Sequence, residues 1–354
     1  MTTDLAAITG IGSVSPYGPL AGLIPPCRLE PESITAGATA GQRRAFVVKP
    51  FRPASVVPGL KTRRLDRLSA WALVASSLAI QDSGIDLNQL DRSRVAVVFG
   101  TGFGCAELTE AFFQSAFTNG WSGTDPSPFP EGLVNAPASH VALWYGLRGP
   151  NITVGSKGFA GETALIQAAS LLRHGQADLA IVLAGDTLTR ALYEWYEAAG
   201  LLSSTCYNSE PLPEGDDFVP SEGVAAVVLE PVGRREVRSY ALFRSGRWAA
   251  GGQPVDTIRQ MLGGSVPSVI ICAGNGAPCA TCSTTALARE IGGGSAAIVP
   301  AQAVAAGLPD SSALLHLVLA LSNPALSSRP QGGPALLLGT SGDSGFAALL
   351  LELP

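Results

Sequence analysis

The stretch that decides the fold reads "ITVGSKGFAGETALIQAASLLRHG" and covers residues 152–175. Its first three residues are typical of a short strand, a glycine-rich bend follows, and the run from "AGETAL" onward has the apolar spacing of a helix. Such a strand–bend–helix unit presents one side chain at the bend, where the helix N-terminus stabilises developing negative charge. The bend carries Lys157, Gly158 and Phe159 but no cysteine, and its one hydroxyl, on Ser156, has no evident base nearby in sequence. The unit therefore has the backbone of a nucleophile site without an obvious nucleophile.

Outward from this unit, apolar runs alternate with amphipathic stretches. The strand "LAIVLAGD" is apolar almost throughout, which indicates burial on both faces. The last two predicted strands are expected to form a closing hairpin. The predicted strands are residues 5–10, 94–102, 152–154, 179–186, 223–231, 240–246, 268–276, 295–300, 334–342 and 346–353. The predicted helices are residues 64–84, 106–117, 160–175, 255–262, 285–292 and 312–322.

The order of these elements partly repeats. The runs "VVFGTGFG" and "IICAGNG" occupy equivalent places in the two parts of the chain. We therefore predict a duplicated α/β unit with strands sandwiched by helices, its halves being residues 1–232 and 233–354 of one compact body. Two loop-rich stretches, residues 19–61 and 203–220, carry turn signals and are expected on the surface.

Composition excludes several classes of function. The net charge of −5 argues against non-specific nucleic-acid binding, and only three histidines make a histidine-based metal site improbable. No apolar run approaches the ~20 residues that span a membrane, and the first ten residues lack the order of a signal peptide. We therefore expect a cytoplasmic protein without metal, cofactor, nucleic-acid or membrane partner, whose six cysteines are reduced thiols.

Four further motifs have competing interpretations. "GDSG" at residues 342–345 resembles a protease nucleophile site but is better explained as a hairpin turn. "CAGNGAPCATC" lacks a fourth zinc ligand, which favours plain thiols. "GTGFG" at residues 100–104 departs from a phosphate-binding loop because Glu107 occupies the last glycine position. "FFQSAF" at residues 112–117 is favoured as core, with a tunnel lining as the alternative.

The ordered set of motifs resembles the β-ketoacyl synthases, which have the thiolase fold. The matching stretches are "ITGIGSVSPYG", "RRLDRLSAWALVASSLAIQDSG", "VVFGTGFG", "NAPASHVALWYGLRGPNITV", "GQADLAIVLAGDT", "DDFVPSEGVAAVVLE" and "SGDSGFAALLLEL". The resemblance covers nearly the whole chain, and it implies an α/β fold of thiolase-like αβαβα layers built from two duplicated βαβ-rich halves.

The family's catalytic groups have no counterpart in this sequence. By resemblance, the nucleophilic Cys falls on Gly158, the first His on Ala273, and the Lys and second His near Gln302 and Gly307. Neither Gly nor Ala attacks a thioester or donates from a side chain. The resemblance therefore narrows to chain length factors of type II polyketide synthases, expected to have no activity alone. The short chain, with Gly158 where aromatic-type members carry Gln, suits a divergent, polyene-type branch.

Chain length factors pair with an active ketosynthase, so the resemblance implies a heterodimer that meets acyl carrier protein mainly through the partner. It places residues 151–154 and the loop 125–130 toward the partner, and the helix 106–117 toward a shared acyl cavity. A close-packed apolar wall there makes one further extension cost about 1–3 kcal/mol. The predicted cavity residues are Phe103, Leu108, Ala111, Phe112, Ser115 and Phe129.

Two other functions stay open from the sequence. One is an atypical thiolase-fold enzyme that uses Ser156, Cys105 or Cys272 as nucleophile. The other is a purely structural partner of a ketosynthase that leaves product length alone.

Overall fold

A computed structural model of the chain describes residues 6–22, 32–33, 44–202, 219–273, 278–299, 312–323, 333–341 and 345–354. The strands are β1 (Ala6–Ser15), β2 (Gly18–Ala21), β3 (Glu32–Ser33), β4 (Arg44–Ala45), β5 (Val95–Thr101), β6 (Asn151–Gly155), β7 (Leu179–Asp186), β8 (Gly223–Pro231), β9 (Ala241–Ala249), β10 (Val269–Ala273), β11 (Ala297–Val299), β12 (Pro334–Ser341) and β13 (Gly345–Glu352). The α-helices are α1 (Arg67–Ser83), α2 (Ala106–Asn119), α3 (Ala136–Tyr145), α4 (Ala160–Arg173), α5 (Arg190–Ala198), α6 (Pro254–Leu262), α7 (Pro278–Gly292) and α8 (Ser312–Leu321).

The strand order repeats between the two parts of the sheet. The path runs β11-β10-β12-β13-β9-β1-β8-β7-β5-β6, so each part places its five main strands in the order third, second, fourth, fifth, first. The two parts meet where β1 pairs antiparallel with β9. This repetition agrees with the predicted thiolase-like fold of two duplicated halves. The exact boundary after residue 232 stays a prediction.

Successive side chains of a strand point to opposite faces of the sheet, and this alternation divides the core into layers. In β7, Ala180, Val182 and Ala184 face a central apolar cluster that contains α4 and α8, whereas Leu179 and Ile181 face an outer cluster with α1 and α3. Strands β10 and β12 divide in the same way between the central cluster and an outer one with α6 and α7. Because successive strand side chains point to opposite faces, burial on both faces requires the continuous apolar runs seen in the sequence.

Local signals fix the ends of the longest helix. Asp66 precedes α1 and its carboxylate accepts a hydrogen bond from the Leu68 N–H, which caps the helix start. Gly84 ends the helix at φ +64°, a left-handed conformation that glycine adopts without a Cβ penalty. The sequence placed the Gly84 stop correctly, and the predicted closing hairpin is confirmed by the antiparallel pairing of β12 with β13.

Three sequence predictions need correction. The sequence analysis assigned no helix to α3 or α5. The segment 19–61 does not lie wholly on the surface, since Ala45, Phe46 and Val48 are buried. Phe46 also bonds through its backbone to residues beside β8, donating to the Pro220 carbonyl at 2.9 Å. Apolar side chains between turn signals therefore cover the sheet here rather than forming a plain surface loop.

Candidate functional site

The strand–bend–helix unit around Gly158 has the geometry of a nucleophile mount. Strands β5 and β6 are parallel, so their carboxyl ends meet at the same edge, and α4 begins directly above them. A Cβ added to Gly100 in β5 would lie 2.3 Å from the Ala160 carbonyl oxygen, so only glycine lets the start of α4 approach this closely. The helix N-terminus is thereby seated at the bend, as the sequence predicted.

Two of the predicted replacement positions, Gly158 and Ala273, lie close to β12. Ala273 at the end of β10 pairs with Gly339 of β12, and Ser341 follows two residues later on the same strand. A Cβ added to Gly158 would lie 3.0 Å from the Ser341 hydroxyl oxygen. The positions predicted to replace the family's Cys and first His thus lie close to one strand, although β6 and β10 are near opposite ends of the described strand order. The remaining two, Gln302 and Gly307, fall outside the described residues.

An open cavity of about 480 Å³ adjoins the bend. It is lined by Val154, Ser156, Lys157, Phe159, Thr163, Trp248, Ala250, Ser341 and Gly345. All three histidines of the chain are described, and none is among these lining residues. His140 instead bonds to Glu131 at 2.5 Å. The Ser156 hydroxyl therefore lacks the imidazole that activates a serine nucleophile in most hydrolases and acyltransferases.

The two described thiols are poorly suited to nucleophilic attack. Burial, reinforced by the Asp66 charge, raises the pKa of Cys105 to about 12. Burial likewise raises the pKa of Cys272 to about 12. Cys272 belongs to the outer cluster with α6 and α7, whereas its neighbour Ala273 belongs to the central one, so the thiol points away from the bend. Because the thiolate is the reactive form, both cysteines are inert at neutral pH.

The turn after β5 is held by one buried carboxylate. Asp186, at the end of β7, accepts hydrogen bonds from the Thr101 hydroxyl at 2.6 Å, the Gly102 N–H at 3.1 Å and the Phe103 N–H at 2.9 Å. The Gly104 N–H in turn donates to the Thr101 hydroxyl oxygen at 2.9 Å. This network fixes the "GTGFG" backbone, and with it the half-buried Phe103. Asp186 was not predicted as a functional residue, although a charged residue at the end of an otherwise apolar strand was a usable signal.

Helix α2 carries four of the predicted cavity residues on a largely exposed surface. Leu108, Phe112 and Ser115 are half-buried, Ala111 is exposed, and Ala116 is the helix's buried residue. The core interpretation of "FFQSAF" is wrong, because Phe113 is 43% and Phe117 is 85% exposed. Aromatic composition predicted burial but did not distinguish a core from an unoccupied surface.

A cluster of rings, here called the aromatic patch, joins α2 to the loop that follows it. Phe112 lies with its ring centroid 5.3 Å from that of Phe129 and 5.7 Å from that of Phe113, and Trp121 lies 6.5 Å from Phe112. Two predicted cavity residues, Phe112 and Phe129, are therefore in contact. On α3, Leu143 and Trp144 are exposed as well.

Charged groups attach the start of α2 to the core. The buried Asp66 carboxylate accepts the Leu108 N–H at 3.2 Å, and Arg67 contacts Glu107 at 2.6 Å and the fully buried Glu222 at 2.9 Å. Burial raises the pKa of Glu222, although Arg67 opposes the shift. Helix α2 is thus fixed at its first turn, and its remaining length presents the aromatic patch outward.

Strand β6 forms one end of the described sheet and pairs with β5 alone. Its other edge leaves backbone N–H and C=O groups available to a further strand. Asn151 at its start donates a hydrogen bond to the Ala138 carbonyl of α3 at 3.2 Å, so β6 and α3 are joined.

Within the described segments, no set of three or more His, Cys, Asp or Glu side chains is grouped to hold a metal ion. Among the same segments, no helix combines the length and apolar character that crossing a bilayer requires.

A family model matches most of the chain. The β-ketoacyl synthase N-terminal domain model covers residues 23–234. Among curated proteins, 3-oxoacyl-[acyl-carrier-protein] synthase 2 of Vibrio cholerae is 27% identical over 260 residues, which is 69% of this chain and 62% of the relative. The corresponding synthase 2 of Coxiella burnetii is 26% identical over 67% of this chain and 60% of its own length. The chain therefore matches less than two thirds of the length of these relatives.

Solved structures with the same fold cover the full chain. The ishigamide ketosynthase/chain length factor superposes with a TM-score of 0.74 at 22% identity, over 99% of both chains. The AntDE:AntF complex, a type II polyketide synthase acyl-carrier protein with its ketosynthase bound to the hexaketide, superposes with a TM-score of 0.78 at 17% identity over 100% of both. At these identities the likeness establishes the thiolase-like fold.

Proposed function

The chain belongs to the β-ketoacyl synthase family, and from this premise we propose that it is a non-catalytic chain length factor. It pairs with an active ketosynthase, completes the partner's acyl-chain cavity and limits the length of a polyketide. The observation that carries the proposal is the bend at residues 155–159. A strand, a bend and a helix are present there, and by the sequence resemblance Gly158 and Ala273 stand where the family has its Cys and first His.

The surface around β6 supports a partner of the same fold. One backbone edge of β6 is unpaired in the described sheet, α3 packs against β6, and both α2 and α3 carry exposed apolar side chains. A second ketosynthase-like chain can continue the sheet at this edge while its side chains cover the aromatic patch. The superposed ketosynthase/chain length factor structure supports this kind of partner by its name. Acyl carrier protein then meets the pair mainly through the active subunit.

The cavity residues define the proposed length limit. Phe103, Leu108, Ala111, Phe112, Ser115 and Phe129 lie on the turn after β5, on α2 and in the loop that α2 contacts. A wall of packed rings resists an extra two-carbon unit because overpacking costs about 1–3 kcal/mol. Each added extension beyond the limit then becomes roughly five- to 160-fold less frequent.

The test is co-expression with a ketosynthase that has intact Cys and His motifs, followed by sizing and product mass analysis. We expect a stable one-to-one complex, and Phe112→Ala should lengthen the product because it enlarges the cavity. Phe117→Ala is the matched control, since Phe117 lies on the same helix but is 85% exposed. It should leave product length unchanged. A chain that never co-purifies with a synthase would overturn the proposal.

Two outcomes would favour the other functions. Unchanged product length in the Phe103→Ala, Leu108→Ala and Phe112→Ala complexes would leave a structural partner only. The cavity beside Ser156 is the observation that favours an atypical enzyme. That function predicts a gain in mass when the purified chain alone is incubated with malonyl or acyl thioesters, and our proposal predicts none.

A further inference from the structure

The ring of Phe103 is the one part of the turn after β5 that the backbone network leaves adjustable. Asp186 binds the N–H groups of Gly102 and Phe103, and Thr101 binds that of Gly104. With the main chain fixed on both sides, the position of the ring depends on its two side-chain torsions, each with a few staggered or broad wells. A contact on the ring face is then enough to select one orientation.

Lys157 supplies such a contact from the bend after β6. Its ammonium nitrogen lies over the Phe103 ring, 4.9 Å from the centroid, within the range of a cation–π interaction. Lys157 also borders the cavity beside the bend, directly before Gly158. The two turns leave adjacent parallel strands, and the Ser156 N–H donates to the Thr101 carbonyl at 3.2 Å, so their spacing is set by the backbone.

From these contacts we infer that Lys157 is a positioning residue for Phe103, so that the bend without a nucleophile orients a wall of the acyl cavity. The inference rests on the proposed function for the role of Phe103 as a wall residue. Lys157 does not touch the growing chain in this scheme. Its charge selects the orientation of the ring, and the ring limits the chain.

The contact is tested on the chain itself by ¹⁹F NMR, without any product assay. 4-Fluorophenylalanine is placed at position 103 alone, and the spectra of Lys157→Gln and Lys157→Arg chains are compared with the parent. Lys157→Gln removes the charge but keeps most of the aliphatic stem, so we expect a changed shift or a second resonance. Lys157→Arg keeps a cation and should restore the parent signal. Lys61→Gln, which alters another exposed lysine, should leave the signal unchanged. An unchanged spectrum in Lys157→Gln overturns the inference.

Product analysis in the reconstituted complex then separates this inference from the proposed function. We expect Lys157→Gln to raise the fraction of over-long product roughly two- to fivefold, the factor of an exposed cation–π contact. Phe103→Ala should raise it further. If Phe103→Ala changes product length and Lys157→Gln does not, the positioning role is refuted while the chain length function stands. If the spectrum responds but neither variant changes the product, Lys157 still orients the ring, and the wall role of Phe103 is refuted.

Discussion

The turn after β5 and the bend after β6 leave adjacent parallel strands at the same sheet edge, yet they are held in opposite ways. The first is bound by the buried Asp186 carboxylate through three groups. The second carries an exposed Lys157 and a buried Gly158, beside an open cavity. The difference shows that two neighbouring turns are held by very different contacts: a buried carboxylate fixes the turn after β5, whereas the bend after β6 borders an open cavity.

The largest expected effect is on the turn after β5. Asp186→Ala leaves the Thr101 hydroxyl and the Gly102 and Phe103 N–H groups without this acceptor. Because buried donors lose water without a new partner, the free energy of unfolding should fall by about 3 kcal/mol. Urea denaturation followed by circular dichroism measures the change.

Asp178, directly before the first residue of the same strand, β7, provides the matched control. It pairs with Arg94 at 2.6 Å, but both side chains are substantially exposed. Asp178→Ala should therefore cost far less than Asp186→Ala. Equal losses in the two variants would contradict the view that the turn after β5 is specially fixed.

A smaller effect is expected where α4 meets β5. Gly100→Ala places a Cβ 2.3 Å from the Ala160 carbonyl oxygen, so helix and strand must separate. Overpacking of this kind should lower the free energy of unfolding by about 2 kcal/mol. Gly155→Ala in β6 is the control, because its added Cβ meets nothing within 4 Å. If the denaturation midpoints of the two variants shift equally, the close contact between β5 and α4 is not the cause of the loss in stability.

The bend itself should tolerate a restored thiol. Gly158→Cys should lower the free energy of unfolding by only about 1 kcal/mol, from a φ of +156° and a Ser341 hydroxyl 3.0 Å away. Iodoacetamide at pH 8 should label position 158 on the order of a hundredfold faster than Cys105 or Cys272, because a helix N-terminus lowers a thiol pKa and burial raises it. Peptide mass mapping gives the rates.

The same variant tests whether a thiol at the bend is sufficient for condensation without the other catalytic side chains. In the reconstituted complex, Gly158→Cys should add no second condensing centre, because Ala273 offers no imidazole for the oxyanion. New condensation that survives inactivation of the partner's own cysteine would refute this expectation.

The smallest effect concerns pH and the exposed ion pair. The hydrogen bond from Arg94 holds the pKa of Asp178 below its usual value. A lowered folded pKa stabilises the protein above the unfolded pKa, and this contribution disappears as pH falls through the folded one. The slight difference in stability between the parent and Asp178→Asn at pH 7 should therefore vanish in acid. A stability difference between the parent and Asp178→Asn that grows below pH 4 would contradict this prediction.

Sequence patterns predicted the elements in which every residue has the same kind of environment, such as strands that are buried on both faces. Strands such as β7 and β12 were identified because burial on both faces requires unbroken apolar runs. Helix α3 was missed because its residues are apolar on nearly every side, which weakens helical periodicity. The exposure of Phe113 and Phe117 was also missed, since an association surface and a core have similar composition.

Contacts between residues far apart in the chain could not be predicted from the sequence. Asp186 bonds to Phe103 across 83 positions, and Glu222 bonds to Val48 across 174. Such pairs follow from strand order, which a single sequence specifies only indirectly. The assignment of Gly158 and Ala273 to the family's catalytic positions, by contrast, came from motif order alone and stays a prediction; in the structure both residues lie close to β12.

The open edge of β6 has one more consequence. Main-chain groups are the same in every polypeptide. Backbone hydrogen bonds at the edge strand therefore do not distinguish a second copy of this chain from the proposed ketosynthase partner. Partner specificity must then come from the exposed aromatic side chains of α2 and α3, which either fit the surface of the other chain or clash with it. In the proposed heterodimer, substitutions among those aromatic residues would therefore permit self-association without altering a single strand.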